Sequence, residues 1–335
     1  MKSERKNIRL LRYAVQLAFL ALTLFIGYRF YQFVQHFISP GHPYVERPAS
    51  VDGFLAIGGF MAFKYFLLTG SVEPVHPSGF ILFAAILGVS LVVKKGFCGW
   101  FCPIGTLSQY VWLAGEKIFG KNFRIAGFTD ISLRSLKYVL LGLFVFLIGV
   151  MPMWSMALFF IQDYYKVVDV RMMKFFTEMT TPTMWVLIVL TGLSLLYKNF
   201  WCRYLCPYGA LLGLVSRLSP FKVQRNEQKC IHCHACTKHC PTLIDVENTE
   251  VMKSAECFGC LTCVSRCPAP GALELRLRAG SKVRTVSPYL FPLVLIILFY
   301  LIIGLGMVTD NWHSKIPYEE YQRLVPEVQK GNVQR

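Results

Sequence analysis

The sequence predicts an all-α polytopic membrane protein, with about five transmembrane helices, one re-entrant or interfacial helix, and a small α+β module on one face. Three observations predict it. The chain is 54% hydrophobic with a mean hydropathy of +0.46, too apolar for an ordinary soluble domain. Apolar runs long enough, or nearly long enough, to cross a bilayer recur along it. Its 12 cysteines fall into tight clusters, which points to metal in a reducing compartment rather than to a secreted disulfide scaffold.

Residues 1–12 are basic and lead into the first apolar run, 13–34. A cleaved signal peptide would have a shorter apolar core and a small-residue cleavage site, so an uncleaved signal-anchor helix is expected. The further runs are 79–93, 138–162, 181–197 and 287–308. Pro152 is expected to kink the third. A helix needs about 20 residues to cross the hydrocarbon, so the second and fourth barely suffice.

Residues 53–68 are apolar but Gly-rich, carry Lys64 in mid-run and have Pro-rich flanks. Charge decides their status. If they do not cross and the five runs do, segments 1–12, 94–137 and 198–286 share one side. That side holds 25 of the 35 Lys and Arg but 9 of the 19 Asp and Glu, so the whole net charge of +16 falls there. This is the positive-inside pattern. It puts the N-terminus and the cysteine-rich module on the cytoplasmic face of a prokaryotic inner membrane and the C-terminus on the periplasmic side. Nucleic-acid binding, the other reading of such a charge, is left with little to explain. The expected division is a membrane domain over 1–220, a module over 221–284, a last transmembrane helix over 285–309 and a polar outer tail over 310–335.

The module carries C-I-H-C-H-A-C-T-K-H-C-P from Cys230 and C-F-G-C-L-T-C-V-S-R-C-P from Cys257. Each is C-x2-C-x2-C-x3-C-P, the spacing of a two-cluster bacterial ferredoxin, in which the fourth Cys crosses to the other cluster. Cys230, Cys233, Cys236 and Cys267 are thus expected to hold one [4Fe-4S] cluster. Cys257, Cys260, Cys263 and Cys240 are expected to hold a second. Cys230 to His234 also match the C-x-x-C-H haem attachment pattern, but those thiols belong to a complete ferredoxin repeat. His234 becomes a loop residue beside a cluster.

A second constellation is an internal repeat. F-C-G-W-F-C-P-I-G from Phe97 aligns with W-C-R-Y-L-C-P-Y-G from Trp201, each matched position 104 residues apart. Each copy follows one of the short runs and a basic flank, Lys94–Lys95 or Lys198. One C-x3-C pair supplies half of a cubane's ligands, and two symmetry-related pairs supply four. Cys98, Cys102, Cys202 and Cys206 are therefore candidates for a third [4Fe-4S] cluster. Redox dithiols, transient copper binding and small buried thiols are the competing readings.

Two C-x3-C-P motifs followed by a double C-x2-C-x2-C-x3-C-P resemble the NapH/NosR/CcoG family of membrane polyferredoxins over residues 80–270. The segment G-F-C-G-W-F-C-P-I-G at 96–105 is particularly close. The resemblance implies electron passage between the quinone pool and redox partners, as a subunit of a quinol dehydrogenase-type complex. Ferredoxin-, cytochrome- or reductase-type partners are the implied ones. The competing readings are a copper-reducing assembly factor for a respiratory oxidase, acting through the C-x3-C-P pairs, and an anchoring subunit whose clusters are structural.

Intrinsic haem b would need His pairs inside the runs, and none of the 7 histidines lies there. No flavin or nucleotide motif is present, so no intrinsic flavin is expected. Quinol chemistry needs a proton acceptor near the bilayer rim. His36, His42, Asp52, Lys64, Glu73 and His76 surround residues 53–68 and are candidates, against a reading as ordinary loop polarity. Residues 241–256, with Asp245, Glu247 and Glu250, read as a solvated loop or a docking surface. Tyr164 and Tyr165 read as interface-belt aromatics.

Overall fold

Lys2–Ile38 form one helix (α1) in the computed structural model of the protein, which describes residues 2–125, 127–279 and 282–331. The helix stops just short of Pro40, which disfavours helical backbone in the residue before it. Ala56–Thr69 (α2) end on Gly70, whose φ of 71° is the left-handed cap glycine tolerates. Pro77–Val92 (α3), Gly96–Trp100 (α4) and Pro103–Phe119 (α5) follow. The run expected as one kinked span over 138–162 is instead two helices, Gly127–Val150 (α6) and Met153–Ile161 (α7). Pro152 has no N–H to continue the ladder and becomes the N-cap of α7, so the chain breaks rather than bends.

Asp163–Lys166 (α8), Val168–Thr177 (α9), Thr181–Leu196 (α10) and Pro207–Val215 (α11) lead to the cysteine-rich module. There β1 (Phe221–Arg225), β2 (Leu273–Ala279) and β3 (Lys282–Thr285) form an antiparallel sheet in that order, with Phe221 opposite Leu277 and Arg225 opposite Leu273. Alternation buries Phe221 and Val223 of β1 and Leu273 and Leu275 of β2. The short helices Ala235–Lys238 (α12) and Thr262–Arg266 (α13) complete the α+β module. Leu290–Val308 (α14) and Tyr318–Lys330 (α15) close the chain.

Among the described residues, 3 helices are long and apolar enough to cross a membrane: Asn7–Ile38 of α1, α6 and α14. The count is 4 if α9 and α10, bent by 77°, are one span. The outward faces of these helices are apolar, for example Leu24 and Phe25 on α1, Phe146 and Val150 on α6, and Leu301 and Val308 on α14. Such surface is stable against lipid and costly against water.

The chain divides into two compact units. One comprises Met1–Ala21, Ile86–Gly142 and Ile188–Phe299 and holds all 12 cysteines. The other comprises Leu22–Ala85, Leu143–Leu187 and Tyr300–Arg335. Most of the stretch expected as a polar tail, 310–335, is ordered: Tyr321, Leu324, Val325 and Val328 of α15 share one face and pack into a cluster with Phe33, Val34 and Val170. Residues 332–335 lie outside the described residues.

Candidate metal centres

The two C-x3-C motifs adopt the same turn. In the first, the Cys102 N–H bonds the Phe97 carbonyl at 2.9 Å; in the second, the Cys206 N–H bonds the Trp201 carbonyl at 3.0 Å. Both are i→i−5 bonds, and Trp201–Leu205 form a full π-helical turn. Each second cysteine is the N-cap of the helix that follows, with Pro103 or Pro207 at its start. The sulfur of Cys206 accepts the backbone N–H of Gly209 at 3.2 Å. At the matching position of the first copy Gly105 is required, since a Cβ would stand 2.5 Å from the Cys98 carbonyl oxygen.

The structure brings all four of these thiols together. Burial pushes the Cys98 and Cys202 thiols far up and Cys102 to about 11, and in each case the neighbouring cysteines of the set add to the rise. The ammonium of Lys95 faces the same group, acting on Cys98, Cys202 and Cys206. Lys95 is 1% exposed and its Nζ has no hydrogen-bond partner.

The ferredoxin-type cysteines fall into two groups. Cys230, Cys233, Cys236 and Cys267 line one cavity. Cys263 is raised by burial and then by Cys260, Cys257 and Cys240. The two loops wrap alike: His232 and His234 in one, Gly259 and Leu261 in the other, have φ between 52° and 62°. Alternation of left- and right-handed residues turns successive N–H groups inward, a concavity suited to an anion and common at iron–sulfur sites. Left-handed backbone at His232, His234 and Leu261 is held at a cost of about 1–3 kcal/mol each.

The donor sets fit a cluster better than a single three- or four-coordinate ion. Among the described residues, no three cysteine sulfurs lie within 4.8 Å of one another. A tetrahedral ion with bonds of about 2.3 Å needs sulfurs about 3.8 Å apart. All 12 cysteines are free thiols.

Each copy of the repeat also grips a different part of the ferredoxin loops. From the first, Trp100 Nε1 donates to the Gly259 carbonyl at 3.1 Å and Lys94 Nζ to that of Met252. From the second, Asn199 Nδ2 donates to the Pro241 carbonyl at 2.9 Å and Arg203 to that of Thr242. Arg203 is itself held by Asp130 through both Oδ atoms, and Lys137 pairs with Glu256 at 2.6 Å. Arg12 of α1 ties the assembly together, donating to the Gly99 carbonyl at 3.0 Å and to Thr262 Oγ1 at 3.1 Å. The solvated-loop reading of 241–256 needs correcting at Glu247. It is buried, and its carboxylate lies 3.2 Å from His232 and 2.6 Å from His234, which are thereby pinned at the first cavity.

In the other unit the polar candidates separate. Lys64 Nζ caps the end of α6, donating to the carbonyls of Ile148, Gly149 and Met151 at 2.7–2.9 Å. His36 joins the His42 carbonyl and the Tyr318 hydroxyl at 2.7 and 2.8 Å. Asp52, Glu73 and His76 do come together, with Arg47, Ser78, Tyr165 and Asp169, which sequence reasoning did not connect to them. Tyr165 is buried against His76 rather than in an interface belt. Ligand atoms of Asp52, His76 and Asp169 lie within 4.8 Å of one another, but the Arg47 guanidinium bonds both carboxylates and already supplies the cation.

Clustered thiols in a chain that also carries bilayer-length apolar helices are the marks of a membrane iron–sulfur protein. The 4Fe-4S binding domain family matches residues 75–124 and 179–226, the two copies of the repeat, and the 4Fe-4S dicluster domain family matches 222–268. YccM of Escherichia coli (strain K12), whose name attaches it to electron transport, is 39% identical over 326 residues, 96% of this chain and 91% of its own. NirI of Paracoccus denitrificans (strain Pd 1222) is 27% identical over 70% of this chain, which spans 34% of NirI. The ferredoxin-type protein NapH of Haemophilus influenzae is 25% identical over 56% of this chain and 62% of its own. No solved structure matches the chain. The chain belongs to the NapH/NosR-like family of membrane-associated 4Fe-4S ferredoxin-type proteins.

Proposed function

We propose that this chain relays single electrons from a quinol, or from a membrane partner, to a redox protein through three ligand sets in line. The observation that carries this reading is the convergence of Cys98, Cys102, Cys202 and Cys206 beside the loops of a ferredoxin module. When bound, [4Fe-4S] clusters supply the one-electron carriers. The order follows from the grip of the repeat. Its two copies hold the loops around Cys257–Cys260 and Cys240, so the set of Cys240, Cys257, Cys260 and Cys263 is the middle one. The set of Cys230, Cys233, Cys236 and Cys267 is the outlet. Cys233 is exposed there, beside an exposed Ile231, where a soluble partner can approach.

The chain's own residues exclude water, fix the ligands and supply hydrogen bonds to sulfur, which are the levers that set potentials. Burial holds the Cys98, Cys202 and Cys263 thiols in the protonated form, so loading releases protons there. In our reading α3 and α10 also cross the membrane, making five crossings. At 16 residues each they span about 24 Å against a hydrocarbon core of about 30 Å, so their ends lie below the headgroups. The basic side is cytoplasmic. Quinol oxidation would draw on His76. Its Nδ1 lies 3.0 Å from Asp52 and 3.2 Å from Arg47, so it can donate to the first when charged or accept from the second when neutral.

Anaerobic purification with iron and acid-labile sulfide assays tests the ligand sets: about twelve irons per chain are expected. Eight would remove the third set. Quinol added to these preparations should reduce clusters seen by electron paramagnetic resonance. His76→Ala should slow that reduction and leave reduction by dithionite unchanged; equal rates with quinol would sever His76 from the reaction. Protease mapping that placed Cys230–Cys267 outside the cell would overturn the sidedness.

A further inference from the structure

Several buried cations surround the four C-x3-C thiols, and among those described Lys95 alone makes no hydrogen bond, sharing the single carboxylate of Glu256 with Lys137. Lys94 donates to the Met252 carbonyl, Lys137 pairs with Glu256 at 2.6 Å, and Arg203 pairs with Asp130 at 2.9 Å. Lys95 differs: it is buried, its Nζ makes no hydrogen bond, and the Phe258 ring at 5.1 Å is a weak partner. Two buried ammoniums on one carboxylate leave a positive charge in excess, and a buried ammonium without a hydrogen bond costs several kcal/mol, so the site has room for a further anion. The groups it faces are Cys98, Glu256, Cys206 and Cys202, and Gly209, beside Cys206, leaves room for its Nζ. The repeat does not duplicate it. Position 199, its counterpart, is an Asn whose amide is spent on the Pro241 carbonyl.

We propose that Lys95 is the counter-charge of the anionic cluster held by Cys98, Cys102, Cys202 and Cys206, and that it sets that cluster's reduction potential. This rests on the three-set reading above. A thiolate-ligated cluster is an anion and gains one further negative charge when it accepts an electron. A fixed positive charge beside it therefore favours the reduced form. No bond to Lys95 forms or breaks in that step. It is a positioning residue for charge, and it makes the innermost carrier a better acceptor than its burial alone would allow.

The test is a redox titration of full-length, anaerobically purified wild type, Lys95→Met and Lys95→Arg, followed by electron paramagnetic resonance with iron counted in parallel. In Lys95→Met one of three couples should fall by at least tenfold in its reduction equilibrium, which is 59 mV for one electron. The other two should stay in place, and Lys95→Arg should keep all three. Loss of four irons in Lys95→Met but not in Lys95→Arg would equally support a required cation. Unmoved couples in a Lys95→Met protein with full iron would overturn the proposal. So would Lys95→Arg failing as Lys95→Met does, since that marks packing and not charge. Eight irons in the wild type would instead sink the third ligand set itself, and that result is read before any variant is made.

Discussion

Replacing Arg47 by Met removes the cation from the most deeply buried charge network of the protein. The Arg47 side chain is 6% exposed, and the side chains of Asp52 and Asp169 are 0% exposed. One guanidinium bonds both carboxylates, which the fork geometry of Arg permits and a Lys ammonium does not match. Without it two buried carboxylates share one site, with His76 and Ser78 left on Asp52 and only the Val170 N–H on Asp169. Breaking a buried pair from one side costs about 3–5 kcal/mol, and here two carboxylates lose their shared cation. For a unit of this size the melting temperature should fall by roughly 6–20 °C.

The pH dependence carries a sign. Burial alone would raise the Asp52 carboxyl, but Arg47, His76 and Ser78 outweigh it and hold it well below the usual carboxylate range. A depressed carboxyl stabilises the fold above its unfolded pKa, about 3.9, and that stability is lost as pH falls below it. Burial opposes charge on His76, but Asp52 outweighs it and raises its pKa. Its contribution is full below about pH 6.5 and is lost as pH rises through the folded value. The wild type should therefore lose stability from this network on both sides of a mildly acidic optimum. In Arg47→Met the Asp52 carboxyl rises, so the gap to wild type should narrow as pH falls. Thermal unfolding in detergent from about pH 2 to about pH 8 covers both limbs. A loss under about 1 kcal/mol, or a gap that widens in acid, would refute the reasoning.

Cys202→Ser should leave about eight irons and both ferredoxin-type signals, as read by iron assay and spectroscopy. Gly99→Ala would set a Cβ 2.9 Å from the Phe258 carbonyl oxygen and push on the loop between Cys257 and Cys260. It should cost about 1–3 kcal/mol in thermal unfolding and shift the middle couple more than the outlet couple. Asp130→Asn should cost about 3 kcal/mol by the same measurement, because it leaves Arg203 buried without its bidentate acceptor. Adding Arg203→Met to it should restore part of that loss.

Much of the cysteine chemistry was legible because it is written in short spacing. The C-x2-C-x2-C-x3-C-P pattern predicts which thiols share a cavity, and the offset of the C-x3-C-P repeat predicts that Cys98 and Cys102 meet Cys202 and Cys206. What spacing could not reveal is pairing between distant polar residues. Arg47 finds Asp169, and Lys137 finds Glu256, through tertiary packing that no local period encodes. The helix α15 was missed for a different reason. Its apolar positions 321, 324, 325 and 328 have helical spacing, but two prolines, Pro317 and Pro326, masked the pattern. The break at Pro152 was read as a bend because length alone favoured one span.

The exposure of Cys233 alone among the 12 cysteines has a consequence for the protein's life in air. In the set proposed as the outlet Cys233 is exposed, whereas no cysteine of the other two sets is. With clusters in the proposed order, oxygen and chelators would reach iron first at that set, and damage should run inward from it. A partly aged preparation would then keep its inner carriers but lose the ability to hand electrons on, failing as a relay well before it bleaches.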